Sequence, residues 1–383
     1  MAPPLKLPIT NALTGSDYTG VIEVGVPPTP VAVIVDTGSS TLAVDGQHVD
    51  PLASPATRTT NLAQLVSYGA GGWVGAVVQT AVALTPEVGL PDVCVAVTYA
   101  EGAGMFGGAQ GILGLAYAPL DTAFVMPGDT WAAKYPPAQV ATSAAIELAP
   151  YFTQLEQAGV VGNKFALYTK RSTVSLATAD PHADPDNHGV LVIGGGEELT
   201  ELYTGGFTQL AVLDDRWYNT NLLAVQVGAQ PAIAVAPTPA GSPLVSNSII
   251  DSGTNCLLFD QPLFEQVVAA FGAIAPSFAT ALRAHAVGGS GLAHAQLDLA
   301  AWPPVHLTLQ GADGAPATLT IAPGDYWQRD AAGRGLALAY LCGDGGAQGG
   351  RSILGLPLFS GYYAVFDRAQ GAGRGVIGFA TRA

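Results

Sequence analysis

Two short segments of this chain place an acidic side chain where it could do chemistry. Val35-Asp36-Thr37-Gly38-Ser39-Ser40 closes the apolar run Val31-Ala32-Val33-Ile34-Val35, and Asp251-Ser252-Gly253-Thr254-Asn255 follows Ser246-Asn247-Ser248-Ile249-Ile250. A single Asp-x-Gly is weak evidence, because turns use these residues everywhere. Here the pattern occurs twice, and each copy is followed in the same order by an Ile-Leu-Gly segment, Gly111-Ile112-Leu113-Gly114-Leu115 and then Ser352-Ile353-Leu354-Gly355-Leu356. That is an internal repeat. Two carboxylates brought into contact cannot both ionise cheaply, so they share one proton. One then acts as base and the other as acid, with no histidine or metal required. A water held by both could attack a carbonyl, and the protons would pass on to a leaving amine.

The neighbouring residues suit a preorganising role. Gly38 and Gly253 let backbone N–H groups approach the carboxylates. Ser39 and Thr254 carry hydroxyls for the outer carboxylate oxygens, and Thr37 and Ser252 could brace each loop.

These loops need a scaffold. Residues 17–44 read as strands around the break Pro27-Pro28-Thr29-Pro30, and residues 64–85 as a hairpin that turns through Gly69-Ala70-Gly71-Gly72. Tyr68, Gly69, Ala70, Gly71 and Trp73 lie at the hairpin's end, where glycine leaves a tip that can close over a site. Helices are expected at Ile146–Gln157, closed by Gly159, and at Gln261–Phe271. The polar loop Asp180–Gly189 marks the region between halves, which sets two domains at 1–190 and 191–383. The duplication predicts an all-β, bilobal architecture with a few short helices and pseudo-two-fold symmetry. The two Asp loops would then meet in the cleft between lobes.

Composition agrees with that reading. The chain has 383 residues, more than one core usually serves, and 48 Gly with 28 Pro suit many short strands. A net charge of −15 repels phosphate backbones, which argues against nucleic-acid binding. Cys94, Cys256 and Cys342 are too few and too odd in number for a disulfide framework. His182 and His188, beside Asp180, Asp184 and Asp186, are the one histidine pair close in sequence; a solvated linker is the expected reading, and no metal or other cofactor is expected. No apolar stretch is long enough for a membrane span, and Met1–Pro8 lacks the core of a secretion signal. The expectation is a monomer in the cytoplasm that binds neither nucleic acid nor membrane.

With these residues in view, the chain resembles the pepsin family of aspartic peptidases from about Asp17 to about Ala380. The motifs that carry the resemblance are the two Asp loops, the paired hydrophobic-hydrophobic-glycine segments and Tyr362-Tyr363-Ala364-Val365-Phe366-Asp367-Arg368. In detail it is similar to the catalytic unit of β-secretase, in Ser252, in Arg216-Trp217-Tyr218 and in Tyr68 followed by Trp73. The lack of a prosegment and of disulfides looks similar to bacterial cytoplasmic pepsin homologues. Ala43 stands where pepsin has a tryptophan that bonds the flap tyrosine, and the resemblance implies that Trp73 takes over this role.

The resemblance implies an aspartic endopeptidase with Asp36 and Asp251 catalytic and Tyr68 in a flap. Its substrate would be an extended peptide or protein segment, bonded like an added strand. The apolar wall residues Met105, Phe106 and Ile112 predict hydrophobic side chains around the cut, and the shared-proton pair predicts an acid optimum. The rival readings are a catalytically inactive relative that binds peptides or proteins, a metal hydrolase and a purely structural β protein.

Overall fold

The computed structural model describes residues 3–13, 17–68, 71–102, 105–172, 180–286, 288–329 and 335–383. The contacts divide the chain into two units. One is Thr19–Gly162; the other combines Pro3–Tyr18 with Asn163–Ala383. The division expected at 190/191 therefore falls earlier. Lys164–Tyr168 pairs antiparallel with both His188–Ile193 and Tyr362–Asp367, and Leu5–Thr10 pairs with His188–Ile193. These ladders tie the N-terminal strand and the segment before residue 190 into the second unit.

In the first unit six strands close on themselves. Thr19–Val24 pairs with Thr29–Asp36, which runs parallel to Gly111–Gly114. Gly111–Gly114 pairs with Leu42–Asp45, which runs parallel to Val88–Glu101. Val88–Glu101 pairs with Gly71–Thr85, and Gly71–Thr85 returns to Thr19–Val24. Closure into a barrel removes the unpaired edges an open sheet would present. The strand that matters most, Thr29–Asp36, is buried continuously from Val33 to Asp36, because it lies between two partners and is covered on both faces. Its apolar run thus carries a carboxylate into the interior.

The second unit repeats the same local plan. Ser248–Ile250 runs parallel to Ser352–Leu354, Leu257–Phe259 pairs antiparallel with that strand, and Leu257–Phe259 runs parallel to Leu341–Gly343. The corresponding pairings of the first unit have the same directions in the same order. Beside this sheet stand an antiparallel sheet containing Lys164–Tyr168, Tyr362–Asp367 and Val376–Arg382, and another formed by Leu222–Val227, Val305–Gln310 and Pro316–Ile321. The helix Gln261–Ile274 buries Leu263, Phe264, Val267, Val268 and Phe271, one face at helical spacing. The fold is mostly β with a few short helices, as the sequence predicts.

One element differs from expectation. Ile146 lies in the strand Ala144–Glu147, paired with Thr122–Val125, and the helix runs only from Tyr151 to Gln157. Pro150, extended at the N-cap, prevents a helix from running through from Ile146. Gly159 follows the helix with φ +69°, the left-handed turn that glycine permits. Among the described residues no helix is long and apolar enough to cross a membrane.

Candidate active site

Asp36 ends its strand opposite Gly114 and is only 5% exposed. A carboxylate there is costly unless it is hydrogen-bonded, and its own loop supplies the donors. Gly38 N donates to Asp36 Oδ1 over 2.7 Å, and the Ser39 hydroxyl donates to Oδ2. The loop is fixed in turn from the main chain: Leu115 N donates to Asp36 O over 2.7 Å and Ala116 N to Ser39 O over 2.8 Å. Gly114 has to be glycine, since a Cβ would stand 2.4 Å from the Ser40 carbonyl carbon.

The second loop is built from the same parts. Asp251, 8% exposed, accepts from Gly253 N at Oδ1 over 2.8 Å and from the Thr254 hydroxyl at Oδ2 over 2.7 Å. Its own N–H donates to Leu354 O over 3.1 Å, and Leu356 N donates to Thr254 O over 2.8 Å. A Cβ on Gly355 would stand 2.0 Å from Thr254 O. Each carboxylate therefore has one oxygen held by a backbone N–H and the other by a hydroxyl three residues on. Thr37 and Ser252 are both buried beside their aspartates.

The hairpin residues and the nominated wall residues come together in the first unit. Trp73, Phe106 and Ile112 are buried in one cluster with Ile34, Ala43 and Ala96, and Tyr68 and Met105 pack against it. Ala43 leaves the space that these rings occupy. Tyr68 pairs with Gly71 across the hairpin; Gly69 and Ala70 lie outside the described residues. Gly71 has φ +145°, a backbone region that favours glycine.

Burial raises the Tyr68 phenol well above its ordinary range, and the charges of Asp36 and Asp121 push the same way, while Trp73 and Ser39 are close enough to oppose them. Yet among the described residues the Tyr68 hydroxyl and Trp73 Nε1 are each buried without a hydrogen-bond partner of good geometry. Direction and distance decide such a bond, so the two polar atoms are neighbours and not a bonded pair.

Three features escape sequence reasoning. Asp121 is buried and accepts from Gln64 Nε2 over 2.6 Å and Thr41 Oγ1 over 3.0 Å; burial lifts its carboxyl to about 7. Asp17 is close enough to Asp251 to feel its charge. The neighbouring Cys342, together with burial, raises the Cys256 thiol, and both cysteines are free. The signal available in each case is a lone Asp or Cys next to an apolar run, which does not by itself reveal a neighbour distant in sequence.

The loop around His182 and His188 uses its acids internally. Asp180 and Asp184 cap turns, and Arg171 pairs with Asp184 over 3.2 Å and with Asp186 over 3.0 Å. Among the described residues no group of three or more His, Cys, Asp or Glu side chains is gathered to hold a metal ion.

Comparison with known proteins then adds a family. The sequence model of the eukaryotic aspartyl proteases matches residues 17–381. A vacuolar aspartic protease of Candida albicans is 25% identical over 279 residues, which is 70% of this chain and 56% of that protein. The chain therefore matches little more than half the length of this relative. The match also corrects the expected cytoplasmic location, since the named relative is a vacuolar enzyme. That expectation leaned on the absence of a leader at the first residues, which is no evidence of a compartment.

Proposed function

Because the chain belongs to the eukaryotic aspartyl protease family, we propose that it is an aspartic endopeptidase in which Asp36 and Asp251 share one proton and activate a water. The observation that carries this reading is the twofold recurrence of one constellation: an aspartate at the end of a buried strand, a glycine N–H on Oδ1, a hydroxyl on Oδ2, and a later glycine that lets the neighbouring strand pass against the loop. In this reading proton transfer falls to the two carboxyl groups themselves.

The ionised member takes a proton from the water, and the neutral member donates to the scissile carbonyl. Collapse of the tetrahedral species returns a proton to the leaving amine. Ser39 and Thr254 orient the carboxylates, and Thr37 and Ser252 brace the loops. Tyr68 closes over the substrate, its unpartnered hydroxyl being available to a peptide. The apolar cluster of Phe106, Ile112 and Met105 supports a preference for hydrophobic residues at the cut, and a shared proton supports an acid optimum. Ser252 and Trp217 support a β-secretase-like variant of the site.

The test is cleavage of a quenched hydrophobic peptide library at acid pH. Cleavage should be blocked by a statine-type inhibitor and fall at least about a hundredfold in both Asp36→Asn and Asp251→Asn. A well-folded wild-type protein that leaves the library intact would overturn the proposal in favour of a peptide-binding relative.

A further inference from the structure

Arg351 immediately precedes the strand Ser352–Leu354, which runs parallel to Ser248–Ile250, the strand that leads into Asp251. On the other edge of Ser248–Ile250 lies Asn219–Thr220. Trp217 belongs to that side, since it precedes Tyr218, whose carbonyl accepts from Ile250 N over 3.0 Å. The Arg351 guanidinium nevertheless lies on the Trp217 ring, with Cζ 4.4 Å from the ring centroid. Its side chain therefore reaches across the strand that carries Asp251. All of these residues belong to the second unit.

A guanidinium carries several N–H donors in a planar fork. In Arg351 one of them reaches Gln348 Oε1 over 3.4 Å, and Nε is buried without a hydrogen-bond partner among the described residues. Other arginines of the chain are answered by acids: Arg58 by Asp92, Arg171 by Asp184 and Asp186, and Arg283 by Glu265. Among the described residues no carboxylate forms an ion pair with Arg351. A half-buried cation with idle donors is costly, and a ligand that supplies an anion at those donors removes the cost.

We propose that Arg351 is a specificity-determining residue, which takes the carboxylate of an aspartate or glutamate side chain in the peptide substrate. Stacking on Trp217 fixes the plane of the guanidinium, and a planar fork matches both oxygens of a carboxylate at once. An amide fits less well, because it offers one acceptor oxygen and turns its own N–H donors toward those of the arginine. Hydrophobic contacts around the cut would then be joined by one acidic residue at a flanking position.

This inference rests on the reading of Asp251 as catalytic, and the experiment separates the two. Quenched peptides, amidated at the C-terminus, share one hydrophobic core and carry Glu, Gln or Lys at each flanking position in turn. The kcat/KM on each is measured for wild type, Arg351→Gln, Arg351→Lys and Arg351→Glu. In the wild type one position should favour Glu over Gln about ten- to a hundredfold near pH 6, the worth of a hydrogen bond to a charged group. That ratio should shrink as pH falls through about 4.3, where the peptide glutamate takes up its proton. Arg351→Gln should abolish it, Arg351→Lys should keep part of it, and Arg351→Glu should favour Lys at the same position. A packing role for Arg351 would produce neither the pH dependence nor the reversal. Active wild type with equal rates on the Glu and Gln peptides, or a Glu preference that survives in Arg351→Gln, would overturn the role of Arg351 alone. A folded wild type that cleaves none of the peptides would overturn the catalytic reading and this one with it.

Discussion

The Thr254 hydroxyl donates to Asp251 Oδ2 over 2.7 Å, in the place that Ser39 takes on Asp36 in the other loop. A hydrogen bond to a charged group contributes about 1.5–3 kcal/mol. If it holds the carboxylate in its working orientation, its loss appears in turnover. Thr254→Ala should lower kcat about ten- to a hundredfold with a smaller change in KM, and Thr254→Ser should restore most of it. Equal kcat for Thr254→Ala and wild type would remove the hydroxyl from the mechanism.

Gly114 and Gly355 are fixed by contact distance. A Cβ would lie 2.4 Å from the Ser40 carbonyl carbon at the first position and 2.0 Å from Thr254 O at the second. Backbone cannot swing aside as a flexible side chain can, so the strand or the Asp loop has to shift. Gly355→Ala should cost at least about 1–3 kcal/mol of stability, as overpacking does, and should lower kcat by moving Thr254. Urea unfolding measures the first effect and steady-state kinetics the second. A Gly355→Ala protein with native stability would show that the two strands can separate freely.

Much of this was legible in the sequence for a plain reason. Asp36 and Asp251 each follow an apolar run and precede a glycine, so strand, loop and donor lie within a few residues of one another. The Tyr68–Trp73 hairpin was legible through its glycines. The division between units was not, because it depends on Lys164–Tyr168 pairing with Tyr362–Asp367, a ladder between segments far apart in sequence. Asp17 and Asp121 were hidden for the same reason: their chemistry comes from burial and from Asp251, Gln64 and Thr41, none of them a sequence neighbour. Ile146 was misread as helical because its apolar spacing fits either period, and Pro150 decided the outcome.

Among the described residues the Tyr68 hydroxyl is buried without a hydrogen-bond partner. Such a group costs stability in the free protein, and it gains if a bound peptide supplies an acceptor. Tyr68→Phe should therefore match or exceed the wild-type melting temperature while lowering kcat/KM about tenfold, the value of one hydrogen bond of ordinary strength. Tyr68→Ala should lose both, because the ring packs against Trp73, Phe106 and Ile112. Wild-type kcat/KM in Tyr68→Phe would leave the ring with a packing role only.

Asp121 ties stability to pH in the first unit. Burial raises its carboxyl from 3.8 to about 7, against the hydrogen bonds from Gln64 and Thr41. The folded chain therefore holds a proton that the unfolded chain releases between these two values. The stabilisation from this group is complete below about pH 4 and is lost as pH rises through 7. Asp121→Asn keeps an acceptor for Gln64 Nε2 and removes the titration. Its unfolding free energy should decline less than that of the wild type between pH 4 and pH 7.5, a difference that urea titrations at several pH values resolve. Curves that stay parallel across that interval would mean that Asp121 is already ionised in the folded protein at acid pH, with Gln64 and Thr41 outweighing its burial.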